Sequence, residues 1–73
     1  MNEETYNNMK KYIGIITDEY DNDSIGYDIS TDIDDMLRWK KEMDTSISKR
    51  NDIKKCMIYE IKPYYTIPKY GNN

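Results

Sequence analysis

After a polar opening of Asn2, Glu3, Glu4, Asn7 and Asn8, the hydrophobic pattern begins at Lys11. Tyr12, Ile13, Ile15, Ile16 and Thr17 are aromatic or β-branched, which predicts a strand continuing to about Tyr20. Asp21-Asn22-Asp23-Ser24 predicts a turn, because Asp and Asn accept left-handed backbone and bond their own main chain. A second strand follows at Ile25–Ile29, with Ile25, Tyr27 and Ile29 alternating against Gly26 and Asp28. The two strands read as a hairpin.

Ser30, Thr31 and Asp32 are all good helix N-caps, and Asp34 falls three residues after Thr31, an acidic form of the capping box. The helix that follows places Ile33, Met36, Leu37, Met43 and Ile47 along one stripe, with Trp39 at its flank. Lys40 lies in the stripe, where its stem can be buried while its ammonium reaches water. The helix is expected to end near Arg50, with Asn51 in the left-handed closing position.

Ile53 to Lys62 is the last regular element. Met57, Tyr59 and Ile61 alternate with Cys56 and Ile58, so both faces are apolar and the strand should be an inner one, covered on each side. Pro63 ends it, since proline cannot donate to a ladder. The expected architecture is a single α+β domain over residues 1–73, ordered β-β-α-β, with one helix on a three-stranded sheet. Residues 1–10 form a flexible lead-in and residues 63–73 an extended Tyr-rich tail. The pattern leaves two sheet orders open, with either the first or the second strand in the middle.

Composition changes this picture in one respect. Ile is abundant at 11 residues, but Leu occurs once and Val and Phe are absent, so Tyr (8) and Met (5) must supply much of the apolar bulk. A chain of 73 residues buries only about 60% of its unfolded surface, which makes a partner valuable to its stability. With no His and one Cys, the chain has no Ser-His-Asp triad, no Cys-His pair, no zinc site and no internal disulfide. No apolar run approaches a membrane span and no signal peptide opens the sequence, so a cytoplasmic, non-enzymatic protein without cofactor is expected. The richness in Lys, Ile, Asn, Tyr and Met over Gly, Ala, Arg and Pro points to an A/T-rich genome.

Charge is segregated along the chain. Residues 1–35 carry a balance of −8 and residues 36–73 a balance of +5. Asp18, Glu19, Asp21, Asp23, Asp28, Asp32, Asp34 and Asp35 follow one another with no intervening base. Such a run projects a negative field onto a basic partner surface, with Tyr20, Tyr27 and Trp39 as aromatic anchors. The same acids have local reasons to be there, since Asp builds turns and acids favour helix N-termini. Asp21, Asp23, Gly26 and Asp32 also match four positions of a calcium-binding loop, but Ile25 stands where an oxygen ligand is required.

The tail tyrosines Tyr64, Tyr65 and Tyr70 form a second candidate surface, either packing on another copy or folding back over the sheet. Bases interleaved with Tyr can stack on single-stranded nucleic acid, but a pI near 4.8 opposes phosphate binding. Cys56 is expected as a small buried hydrophobe.

Taken with the Asp18–Asp35 run and the Lys-Ile-Tyr-Asn bias, the chain resembles the short acidic accessory proteins of phages, among them anti-CRISPR and other counter-defence inhibitors. The resemblance implies an inhibitor that blocks the nucleic-acid-binding surface of a host defence or nucleic-acid-processing protein. The alternative reading of the residues is a homo-oligomer assembled through the Tyr-rich tail, sequestering a small ligand such as a nucleotide.

Overall fold

A computed structural model describes residues 10–71. Its strands are β1 (Lys11–Asp18), β2 (Asp23–Ser30), β3 (Ile53–Ile61) and β4 (Thr66–Tyr70), and its helix is α1 (Ile33–Ile47). All neighbouring strands are antiparallel, in the order β2-β1-β3-β4. The fold is therefore α+β, as the hydrophobic pattern predicts, but its sheet has four strands rather than three. The extended tail is corrected accordingly: Lys62 N–H donates to the Tyr65 carbonyl at 2.8 Å, closing a turn that returns the chain along β3 as β4. Pro68 is tolerated in this strand because β4 is an edge. Apart from Lys10, the expected lead-in lies outside the described residues.

The first turn forms two residues earlier than the sequence predicts, over residues 19–22. Asp18 Oδ1 accepts from the backbone N–H of Tyr20 at 2.8 Å and of Asn22 at 2.9 Å, and these bonds hold its carboxyl below the usual carboxylate range. Asp21 takes the left-handed conformation, with φ 66°. β2 then breaks the expected alternation. Gly14 pairs with Tyr27 and Ile15 with Ile25, and the register slips again between Gly14 and Tyr12, which pairs with Ser30. These bulges turn Tyr27 to the same face as Gly14 while Ile25 stays with Ile15 on the other.

Helix α1 crosses from β2 to β3 over the Gly14 face, packing mainly on β3. Asp32, not Thr31, is its N-cap, accepting from Asp35 N–H at 3.1 Å. It ends at Ile47 with Ser48 as cap, short of the expected Arg50, and Asn51 is not left-handed. Met36, Cys56 and Ile58 are fully buried and form the centre of the core. Trp39 lies against Gly14 and Gly26, both of which leave room for its ring: a methyl on Gly14 would stand 2.6 Å from Trp39 Cη2, and one on Gly26 2.6 Å from Cζ2. Lys40 is buried along the stripe as expected, and its ammonium reaches Asp44 at 2.7 Å. β3 is an inner strand, but α1 covers only one of its faces.

Candidate functional site

Sheet order converts the charge segregation of the sequence into geometry. β2 is an edge strand with no base in it, while Lys54, Lys55 and Lys62 lie on or next to β3 and Lys69 lies on β4. Acids of the β1–β2 turn, of β2 itself and of the first turn of α1 thus follow one margin of the molecule. Eight residues of β2 give this margin a length of about 27 Å.

The acids along it have different duties. Asp18 closes the turn, Asp32 caps the helix, and Asp23 accepts from the buried Thr17 hydroxyl at 2.7 Å. Asp21 is paired with Lys54 at 2.6 Å and Asp35 with Arg38 at 3.0 Å. Glu19, Asp28 and Asp34 are exposed, and no ion pair engages them among the described residues. These three carry the margin's free negative charge.

The aromatic residues divide as well. Tyr20 is 76% exposed at the turn and is available to a partner. Tyr27 instead packs edge-on against Trp39, with ring centroids 5.6 Å apart, and its hydroxyl donates to Asp35. That bond, more than burial, pushes the Tyr27 phenol above its ordinary value. Tyr27 and Trp39 thus sit in the packing between helix and sheet. Two residues that the sequence pattern places on one face with Tyr27 stand out in their place: Ile25 is 61% and Ile29 is 55% exposed on β2. The signal for them was Gly26, whose missing side chain marks a bulge that disrupts the alternation.

Tyr64, at 95% exposure, and Tyr65 occupy the β3–β4 turn, and Tyr70 ends β4 opposite Ile58. The Tyr-rich surface and the acidic one therefore occupy opposite margins of the same sheet and do not form one site.

The sequence reading missed Glu60. It is only 2% exposed on β3, and Lys62 reaches its Oε2 at 2.8 Å while Lys69 reaches Oε1 at 3.4 Å. The hydrogen bond from Lys62 outweighs burial and holds the Glu60 carboxyl below its ordinary value. Tyr12, paired with Glu60 across the strands, has its phenol pushed up by burial and then by the neighbouring carboxylate. Cys56 is buried as expected, and burial raises its thiol to about 11.

Among the described residues, no cluster of His, Cys, Asp or Glu is arranged to hold a metal ion, and no helix is long and apolar enough to cross a membrane. Comparison with family models, curated proteins and solved structures finds no match for the chain.

Proposed function

We propose that this chain is a non-enzymatic binding protein that lays its acidic β2 margin on a basic, nucleic-acid-binding surface of a host protein and blocks it. The observation that carries the reading is the edge strand β2, whose outer side meets no strand among the described residues and where exposed Ile25 and Ile29 stand among acids that include Asp28, which makes no ion pair there. An edge strand offers main-chain hydrogen bonds, the two isoleucines offer apolar contact, and Glu19, Asp28 and Asp34 offer the field that steers a basic partner. Such a protein is of the counter-defence type that its size and charge pattern resemble, acting in the cytoplasm of the host.

The test is a capture experiment. The protein is immobilised beside a variant carrying Glu19→Lys, Asp28→Lys and Asp34→Lys, substitutions that spare the cap, the turn and the Tyr27 hydroxyl bond. A nucleic-acid-binding protein held by the wild type is expected to release labelled nucleic acid as the chain is titrated in. Its association should slow about 10-fold or more as salt is raised. Equal capture by the reversed variant would refute the role of the margin.

A further inference from the structure

The sheet has two faces, and α1, the single helix among the described residues, covers the one that carries Gly14. The other face is built of cross-strand rows whose order matters. Nearest the β1–β2 turn, one row reads Asp23, Thr17, Lys55, and the next row on that face reads Ile25, Ile15, Met57. Farther along the strands Ile13 stands opposite Tyr59.

The first row runs from acid through neutral to base. A second copy turned by a two-fold axis parallel to the strands presents the same row in reverse, so base meets acid at each side. Under the same operation the aliphatic row meets its own reverse, Met57 against Ile25 about a central Ile15. A surface complementary to itself is what an isologous dimer requires. We propose that this face, which carries the half-buried Ile13, Ile15, Met57 and Tyr59 and has no helix over it among the described residues, is the docking surface for a second copy of the chain, packed sheet on sheet about a two-fold axis that runs along β1.

Area supports an interface at the small end of the range. With the axis along β1, strands β2, β1 and β3 face their counterparts; at eight residues and about 4.8 Å per strand the overlap is roughly 27 by 14 Å, or about 800 Å² over two copies before side-chain relief. An overlap of that size suits a weak, reversible dimer. Two aligned sheets at the usual spacing of about 10 Å would bury Ile13, Ile15, Met57 and Tyr59 from both sides. Lys11, exposed at the far end of β1, lies at the margin of the face. Because the axis runs through the sheet, the outer flank of β2 stays open, and the dimer displays two acidic margins. The proposal is independent of what those margins bind.

The experiment is sedimentation velocity of the full chain from about 1 μM to about 1 mM, spanning the affinity that such an area supports. The expected result is a reversible shift from 8.8 kDa to twice that mass. Ile15→Lys should raise the dissociation constant by at least about 100-fold, since a symmetric interface loses the contact twice. Lys55→Asp, at the exposed end of the row, replaces attraction with repulsion and should raise it about 10-fold with the helical circular dichroism unchanged. Glu42→Lys, exposed on α1, should leave it as it is. A monomer throughout the range would overturn the proposal, as would a dimer insensitive to both Ile15→Lys and Lys55→Asp. A monomer showing nuclear Overhauser contacts from residues 1–9 to Ile15 and Met57 would assign the face to the chain's own beginning and likewise overturn it.

Discussion

Gly14→Ala probes the packing that positions β2 and the helix. The added methyl would stand 2.6 Å from Trp39 Cη2 and 2.9 Å from Tyr27 Cβ, against an ordinary carbon–carbon contact of about 3.5 Å. The ring would have to retreat by about 1 Å, but Gly26 approaches the same ring at Cζ2 and Tyr27 packs on it edge-on, so the displacement spreads through the interface. Overpacking of this kind costs about 1–3 kcal/mol, offset by roughly 0.5–1 kcal/mol from the lower chain entropy of Ala in the unfolded state. A net loss of about 1–2 kcal/mol is a large share of the roughly 3–5 kcal/mol that a domain of this size commands. Urea unfolding read by Trp39 fluorescence is the assay, since Trp39 is the sole tryptophan and reports both stability and its own environment. Gly71→Ala is the control: its methyl meets only the flexible end of Met57, at 2.8 Å from Cε, and should be nearly neutral. Equal stability of Gly14→Ala and wild type, with an unchanged emission maximum, would refute the placement of the ring.

Asp32→Ala removes the helix cap and should lower stability by about 1 kcal/mol, or roughly 5 °C in the melting temperature, measured by circular dichroism. Glu60 has its carboxyl lowered in the folded state, so the stability it contributes is complete above the unfolded value of 4.5 and is lost as pH falls through the folded one. Glu60→Gln should therefore flatten the acid limb of a stability–pH curve, and an unchanged limb would contradict the pairing with Lys62 and Lys69. The Cys56 thiol, buried and raised to about 11, should resist aromatic disulfide reagents at pH 8 until the chain unfolds, and rapid labelling of the native protein would place it elsewhere.

How much of this was legible in the sequence depends on how local the cause is. The helix, β1 and β3 follow from propensity and periodicity, and the inner position of β3 follows from Cys56 and Ile58 facing away from Met57 and Tyr59. The fourth strand was hidden by proline. Pro63 reads as a stop and Pro68 lies in what reads as an extended tail, yet one sits in a hairpin connection and the other on an edge where no ladder bond is asked of it. The acidic run was visible, but which of its members are free was not. That division depends on partners distant in sequence, such as Lys54 for Asp21, and on caps and turns that claim Asp32 and Asp18. The fate of Trp39 was likewise a tertiary matter, set by two glycines on different strands beneath one ring. Glu60 went unread because a carboxylate on an inner strand acquires its sense only when β4 brings Lys69 alongside.

The unequal duties of the acids also explain why a reversal of Asp32, Asp34 and Asp35 would be a poor probe of function. Asp32 holds the helix start and Asp35 receives the Tyr27 hydroxyl, so two of the three substitutions would disturb the fold. Glu19, Asp28 and Asp34 alter the field while leaving those bonds in place.

The most direct measurement of the central claim is therefore displacement of labelled nucleic acid from a captured partner, run in parallel with the wild type and with the Glu19→Lys, Asp28→Lys, Asp34→Lys variant. The account predicts stoichiometric displacement by the wild type, weakened by salt, and none by the variant at the same concentration and with the same helical content. Displacement by both proteins alike, or a captured partner that keeps its nucleic acid, would contradict it.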